Sequence, residues 1–184
     1  FDVVSGGLFL DNRAGLVNDV APHIKAGAYK RVEEITGVKF GKCFIDSVFG
    51  DGKLTLDSLY PAIALCVVKE KMPDKAIQFT SLLLSAYYYD GLDSTDIDGH
   101  GRYFRQIGLD EGEAIILSKS ETYYQLAVKD FERFRRSDVS VFPSLVIEQN
   151  DSNRGHNMAP IVLSNGSMTY DALHQELSRI LSLK

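Results

Sequence analysis

The chain has 184 residues, of which 45% are apolar and 24% charged, with a net charge of −5 at pH 7. That composition fits one globular domain, with or without a sizeable insertion, that can bury a core. It excludes a protein that holds nucleic acid by charge, because the basic excess that phosphate contacts need is missing. It also excludes an ordinary membrane-spanning helix, since no apolar run reaches the roughly 18–20 residues required.

In chain order, Phe1-Asp2-Val3-Val4 predicts a short strand ending at the turn Ser5-Gly6-Gly7, followed by a loop with Asp11-Asn12-Arg13. Residues 20–36 predict a helix with Pro22 in its first turn and Gly37 as its stop. Residues 41–52 read as a mixed segment. Asp57 or Ser58 can cap a helix to about Met72, and Asp74 can cap another through Tyr89, with Pro73 between them. A weaker helix is expected over 95–108, because Gly99 and Gly101 disfavour it. Asp110 with Glu113 and Ser118 with Glu121 resemble capping boxes, the second opening an amphipathic helix with Tyr123, Leu126, Ala127, Phe131 and Phe134 along one face.

Phe142-Pro143 then precedes a strand over 144–148, a polar loop over 149–159 and a second strand over 161–163. Asn165-Gly166 makes a turn, and Ser167 or Thr169 caps a final helix with Leu173, Leu177, Ile180 and Leu181 on one face. The last part is thus a β-hairpin with a packing helix. The first strand is expected to join that hairpin, because an isolated strand cannot bury its face.

Chemistry-bearing residues are sparse. No phosphate-cradling loop occurs, and Gly99-His100-Gly101 reads as a loose helix start. His23, His100, His156 and His174 show no metal-ligand spacing and are expected to be solvated. The acidic group Asp90, Asp93, Asp96 and Asp98 departs from the calcium-loop pattern and reads as turns and caps. Tyr87-Tyr88-Tyr89 cannot share one helix face, so packing plus one exposed ring is expected. Cys43 and Cys66 lie in apolar runs and are expected to be buried free thiols, although a bridge between them stays open.

The sharpest feature is Val139-Ser140-Val141-Phe142-Pro143-Ser144-Leu145-Val146-Ile147. Pro143 fits the start of a strand because it cannot donate a ladder bond there, and it fits equally well as a cis-proline. Residues 137–146 resemble the cis-proline segment of DsbA-like proteins. Val3-Val4-Ser5-Gly6-Gly7-Leu8, residues 32–41 and residues 78–88 are similar to segments of the FrnE-like branch of that family, in the same order. The resemblance covers nearly the whole chain.

It implies an α/β architecture: a thioredoxin-like fold split by an α-helical insertion. The thioredoxin-like parts would be 1–17 and 137–184, with the insertion at 18–136. It implies thiol–disulfide oxidoreductase or isomerase activity on a cysteine-containing polypeptide or glutathione. Pro143 would be the cis-proline and Phe142 the substrate-binding residue whose backbone meets the substrate strand.

The family's Cys-x-x-Cys, at the start of the first helix, has no counterpart between Phe1 and Lys184. The expectation is that the family's first strand and first helix, about 30–40 residues, precede Phe1, so that no catalytic residue lies in this chain. No cofactor or metal is expected in the leading reading. Glutathione enters in the alternative of a kappa-like isomerase or transferase, and a redox-inactive peptide-binding protein is a third reading. A cytoplasmic location is expected, with a periplasmic one left open.

Overall fold

The structure is a computed structural model and describes residues 2–137, 139, 141–147, 161–166 and 168–182. It divides into two compact units, residues 1–131 and 132–184.

In the first unit the helix α4 (Leu59–Lys71) is central, because its residues Ala62 through Val68 are all buried and it is apolar on every side. Helix α5 (Ala76–Tyr88) buries Ala76, Phe79, Leu83, Ala86 and Tyr87, a helical spacing that gives one apolar face. Helices α6 (Gly101–Gln106), α7 (Glu111–Ser118) and α8 (Glu121–Arg135) contribute Tyr103, Phe104, Ala114, Tyr123, Ala127 and Phe131 to the same core. Phe79 and Phe104 stack there with centroids 5.0 Å apart.

A second apolar cluster joins α1 (Val17–Val20) and α3 (Lys42–Phe49) through Val17, Phe44 and Val48. Leu54 and Leu56 complete it, the latter from β2 (Thr55–Leu56), which pairs antiparallel with β1 (Gly15–Leu16). Tyr88 packs against both clusters. Beside it the Gly41 N–H donates to the Tyr88 carbonyl at 3.0 Å. A Cβ on Gly41 would stand 1.8 Å from the Tyr89 carbonyl oxygen, so only glycine allows this approach.

Side chains bond to the backbone along β2. The Thr55 N–H donates to Asp93 Oδ2 at 2.7 Å, the Asp57 N–H donates to Ser94 Oγ at 2.7 Å, and that hydroxyl donates to the Thr55 carbonyl at 2.9 Å. Two further tethers fix the chain before α1. Ser58 and Phe9 exchange bonds, Phe9 N–H to Ser58 Oγ at 2.9 Å and Ser58 N–H to the Phe9 carbonyl at 2.7 Å. The Lys69 ammonium donates to the Val3 carbonyl at 2.9 Å and to both oxygens of Asp130 at 3.1 and 3.0 Å, and it pairs with Asp2 at 3.0 Å. Burial works against that charge, and the bonds to Asp130 and Asp2 outweigh it, leaving the Lys69 pKa above the ordinary lysine value.

The second unit holds the end of α8, an antiparallel hairpin of β3 (Ser144–Ile147) and β4 (Ile161–Asn165), and α9 (Tyr170–Ser182). Ser144 faces Asn165 and Ile147 faces Ile161, with a bulge at Leu145/Val146. Leu163 and Ile180 are buried, and α9 packs on β4. Thr169 caps α9, accepting from the Ala172 N–H at 3.3 Å.

Several expectations change. Residues 2–4 form no strand, and the described hairpin sheet contains only β3 and β4. The Val3 carbonyl is instead bonded by a lysine side chain. The helix expected over 20–36 is broken by Gly27, whose φ is 107°, and resumes as α2 (Tyr29–Thr36). Residues 42–49 are helical rather than mixed. Ser118 ends α7, its hydroxyl donating to the Ala114 carbonyl, and does not cap α8. Asp110 does cap α7, accepting from the Glu113 N–H at 2.8 Å. The polar loop 149–159, with His156, lies outside the described residues.

His100 is fully buried rather than solvated, and its Nε2 lies 2.6 Å from the Tyr87 hydroxyl. Burial lowers its pKa to about 4.

Two outcomes follow from these buried polar groups. Lys69→Met removes the cation but leaves Asp130 and the Val3 carbonyl in place, and should cost about 2 kcal/mol of stability, read as a lower urea midpoint. For His100, the unfolded chain takes up a proton near the ordinary pH of about 6.5, whereas the native state resists until about 4. Its contribution is therefore intact above the first value and is lost as pH falls to the second, by about 3 kcal/mol at most. In denaturation curves across that window, His100→Gln should flatten the slope.

Candidate functional site: the Phe142–Pro143 turn

The Phe142–Pro143 peptide bond is cis. Local hydrogen bonds hold the chain on both sides of it. Ser144 Oγ donates to the Val141 carbonyl at 2.6 Å, and the Gly166 N–H donates to the Pro143 carbonyl at 2.9 Å. Gly166 has φ of 111°, a turn conformation suited to glycine, and its own carbonyl accepts from Ser164 Oγ. Phe142 N–H and C=O have no hydrogen-bond partner among the described residues.

Val141, Phe142 and Pro143 are all exposed, with Phe142 at 45%. The Phe142 ring is nevertheless fixed, because it stacks on Phe134 at the end of α8, with centroids 4.9 Å apart and planes 20° from parallel. Ser137 ends that helix, its N–H and hydroxyl both donating to the Phe134 carbonyl, at 3.0 and 2.6 Å. The turn therefore presents free backbone groups beside an ordered aromatic face. Among its described residues, 141–144, none carries a thiol or a titratable side chain.

Neither cysteine completes such a site. Both are free thiols. Cys66 is buried in α4, and burial pushes its pKa up to about 12, which keeps it a protonated thiol at neutral pH. Cys43, expected to be buried, is exposed in the first turn of α3. It faces outward because Phe44 and Val48 take the inner side of that helix.

The tyrosine run divides as expected. Tyr87 is buried, Tyr88 bridges the two clusters and Tyr89 is 59% exposed. Tyr87 and Tyr88 help line a cavity of about 220 Å³ in the first unit, with Pro61, Leu65, Leu83 and Gly7. The acidic cluster is occupied by local partners: Asp90 with Arg102, Asp93 with Thr55 and Thr95, and Asp98 with Lys119. Among the described residues, no group of three or more His, Cys, Asp and Glu is placed to hold a metal ion. None of their helices is long and apolar enough to cross a membrane.

The cis bond at Pro143 was one of the two readings the sequence left open, whereas the contacts that fix the turn were not legible there. Phe134 looked like one more core-facing residue of an amphipathic helix, and helical periodicity does not imply its stack on Phe142.

No family model matches the chain, and no curated protein matches it either. Solved structures do. A candidate protein disulfide isomerase from Nitrosomonas europaea superposes with a TM-score of 0.76 at 19% identity, over 90% of this chain and 75% of that one. The fold is that of the DsbA-like thioredoxin proteins. The cytosolic disulfide reductase DsbM from Pseudomonas aeruginosa matches at 20% identity with a TM-score of 0.70, covering 97% of this chain and 82% of that one. Its structure with GSH matches at 18% identity with a TM-score of 0.68, over 96% and 82%.

The thiols offer a direct check on the placement of α3 and α4. Iodoacetamide applied to the native protein should alkylate Cys43 and spare Cys66 until denaturant is added, as read by peptide mass mapping.

Proposed function

We propose that the protein is a thiol–disulfide oxidoreductase or isomerase acting on cysteine-containing polypeptides. The supporting observation is the fold, which covers 90% of the chain against a structure described as a candidate disulfide isomerase. In this reading, residues 1–17 and 137–184 form the thioredoxin-like module and 18–136 the helical insertion. Phe142 offers its backbone to the substrate strand, beside Pro143. The nucleophile is a Cys-x-x-Cys preceding Phe1 in the reading frame, because thiol–disulfide exchange needs a stabilised thiolate with a second thiol beside it. Cys66 is too basic and too buried for that role, and Cys43 has no exposed second thiol to pair with, because the sequence's other cysteine is the buried Cys66.

A second reading takes glutathione as the small thiol, and it draws on the match to DsbM solved with GSH. A cytosolic location is part of the proposal, since that neighbour is described as cytosolic.

Insulin reduction by the protein expressed from its complete reading frame tests the proposal. Turnover that disappears when the upstream cysteine pair is changed to serine is the expected result. A complete protein that leaves insulin disulfides intact sinks the enzymatic reading in favour of a redox-inactive binding protein.

A further inference from the structure

The cavity of the first unit takes no part in the thiol-exchange reading, and its lining has a chemistry of its own. Its volume is about 220 Å³. Pro61, Leu65 and Leu83 give it apolar walls, and the rings of Phe9, Tyr87 and Tyr88 stand among them. An apolar cavity of roughly 150 Å³ is enough for benzene. The hollow therefore has room for one ring with a short tail.

Asp57 lines the same cavity, just before α4. Its N–H donates to Ser94 Oγ at 2.7 Å, and its Oδ1 accepts from the Leu59 N–H at 2.8 Å, so the side chain is held in place. Among the described residues, no cation pairs with this carboxylate. The guanidinium of Arg13 is turned to the Gly7 carbonyl instead, at 3.5 Å. Burial holds the Asp57 pKa above the ordinary aspartate value against the Leu59 bond, and the like charge of Asp11 adds to the rise. The Tyr88 hydroxyl also has no hydrogen-bond partner among the described residues. Burial raises its pKa and keeps it a neutral phenol.

A half-buried carboxylate without a cation costs the folded protein free energy. A ligand that brings a positive charge offsets that cost, and aromatic faces beside the carboxylate favour the same charge. An anion would be repelled by Asp57, and a neutral molecule would leave it unpaired. The hydroxyls of Thr80 and Ser94 are engaged by the carbonyls of Ala76 and Thr55. The walls therefore call for an apolar body behind the charge.

We propose that this cavity binds a small alkyl or aralkyl ammonium ion, with its charge against Asp57 and its apolar body beside Tyr87 and Tyr88. All the lining residues belong to the first unit, so the site stands apart from the Phe142–Pro143 turn and from thiol exchange.

The test titrates the protein from its complete reading frame with three probes at pH 7, followed by amide chemical shifts. The probes are 2-phenylethylamine, the isosteric 2-phenylethanol and phenylacetate. The amine should saturate, moving the amides of Gly7, Leu83 and Tyr88, and should bind roughly tenfold more tightly than the alcohol, the gain expected from one charge-assisted bond. Phenylacetate should bind more weakly than either. Asp57→Asn keeps an oxygen for the Leu59 N–H and should reduce the amine to the level of the alcohol. Asp57→Ser, a second side chain able to accept that bond, should do the same, and the dispersion of each spectrum reports the fold directly. Thr80→Phe, which places a ring in the hollow, should weaken the amine and the alcohol together.

Equal binding of amine and alcohol by wild type overturns the inference. So does an amine preference that survives in both Asp57 variants, or shifts that map away from the cavity. Insulin reduction bears on none of these outcomes, so failure of the enzymatic reading would leave the amine preference and its dependence on Asp57 in place.

Discussion

The Lys69 ammonium governs how the first unit is put together. It stands on the most buried helix of the chain and gathers acceptors from two other places: Asp130 of α8, and Asp2 with the Val3 carbonyl of the N-terminal stretch. A largely buried charge is tolerated only when its hydrogen-bonding capacity is met. Once residues 2 and 3 are held, Phe9 reaches Ser58 at the start of α4, and the intervening Ser5-Gly6-Gly7 passes over the cavity bounded by Tyr87 and Tyr88. A contact between a cation and a backbone carbonyl thereby shapes a hollow several residues away.

Features that depend on neighbours in sequence could be read from the sequence; features that depend on a distant side chain could not. The amphipathic face of α8, the Asp110 cap and the strands around residues 144 and 161 follow from periodicity and local hydrogen bonding, and they stand where expected. The split of Tyr87, Tyr88 and Tyr89 among different surroundings follows from helix geometry alone. By contrast, Val3-Val4 carries strand-forming residues but finds a lysine instead of a ladder. His100, between two glycines, gave no sign of burial, because its partner Tyr87 sits on another helix. Cys43 looked buried from its apolar neighbours, yet those neighbours turned inward and left it outside. At the turn itself, Pro143 was conspicuous in the sequence. The ring that immobilises Phe142 belongs to a helix that ends seven residues earlier, at Arg135.

The Phe142–Pro143 turn is held by its own backbone bonds and by the ring of Phe134. Among the described residues, 141–144 of the turn carry no ionisable side chain. Any thiolate brought beside it would meet a fixed backbone and a fixed aromatic face. Preorganisation of that kind lowers the ordering cost of docking an extended peptide. Of the two cysteines, Cys66 is buried with a raised pKa and Cys43 is exposed on α3.

Gly41 shows how little freedom such an arrangement leaves to inheritance. Its missing side chain is what lets the start of α3 rest against the end of α5, where Tyr88 joins the two apolar clusters. Even alanine would place a carbon inside the Tyr89 carbonyl and pry the clusters apart. At residue 41 every side chain begins with the same Cβ, so every substitution meets the Tyr89 carbonyl. The position should stay glycine wherever the same pair of helices meets, including in descendants whose chemistry has changed.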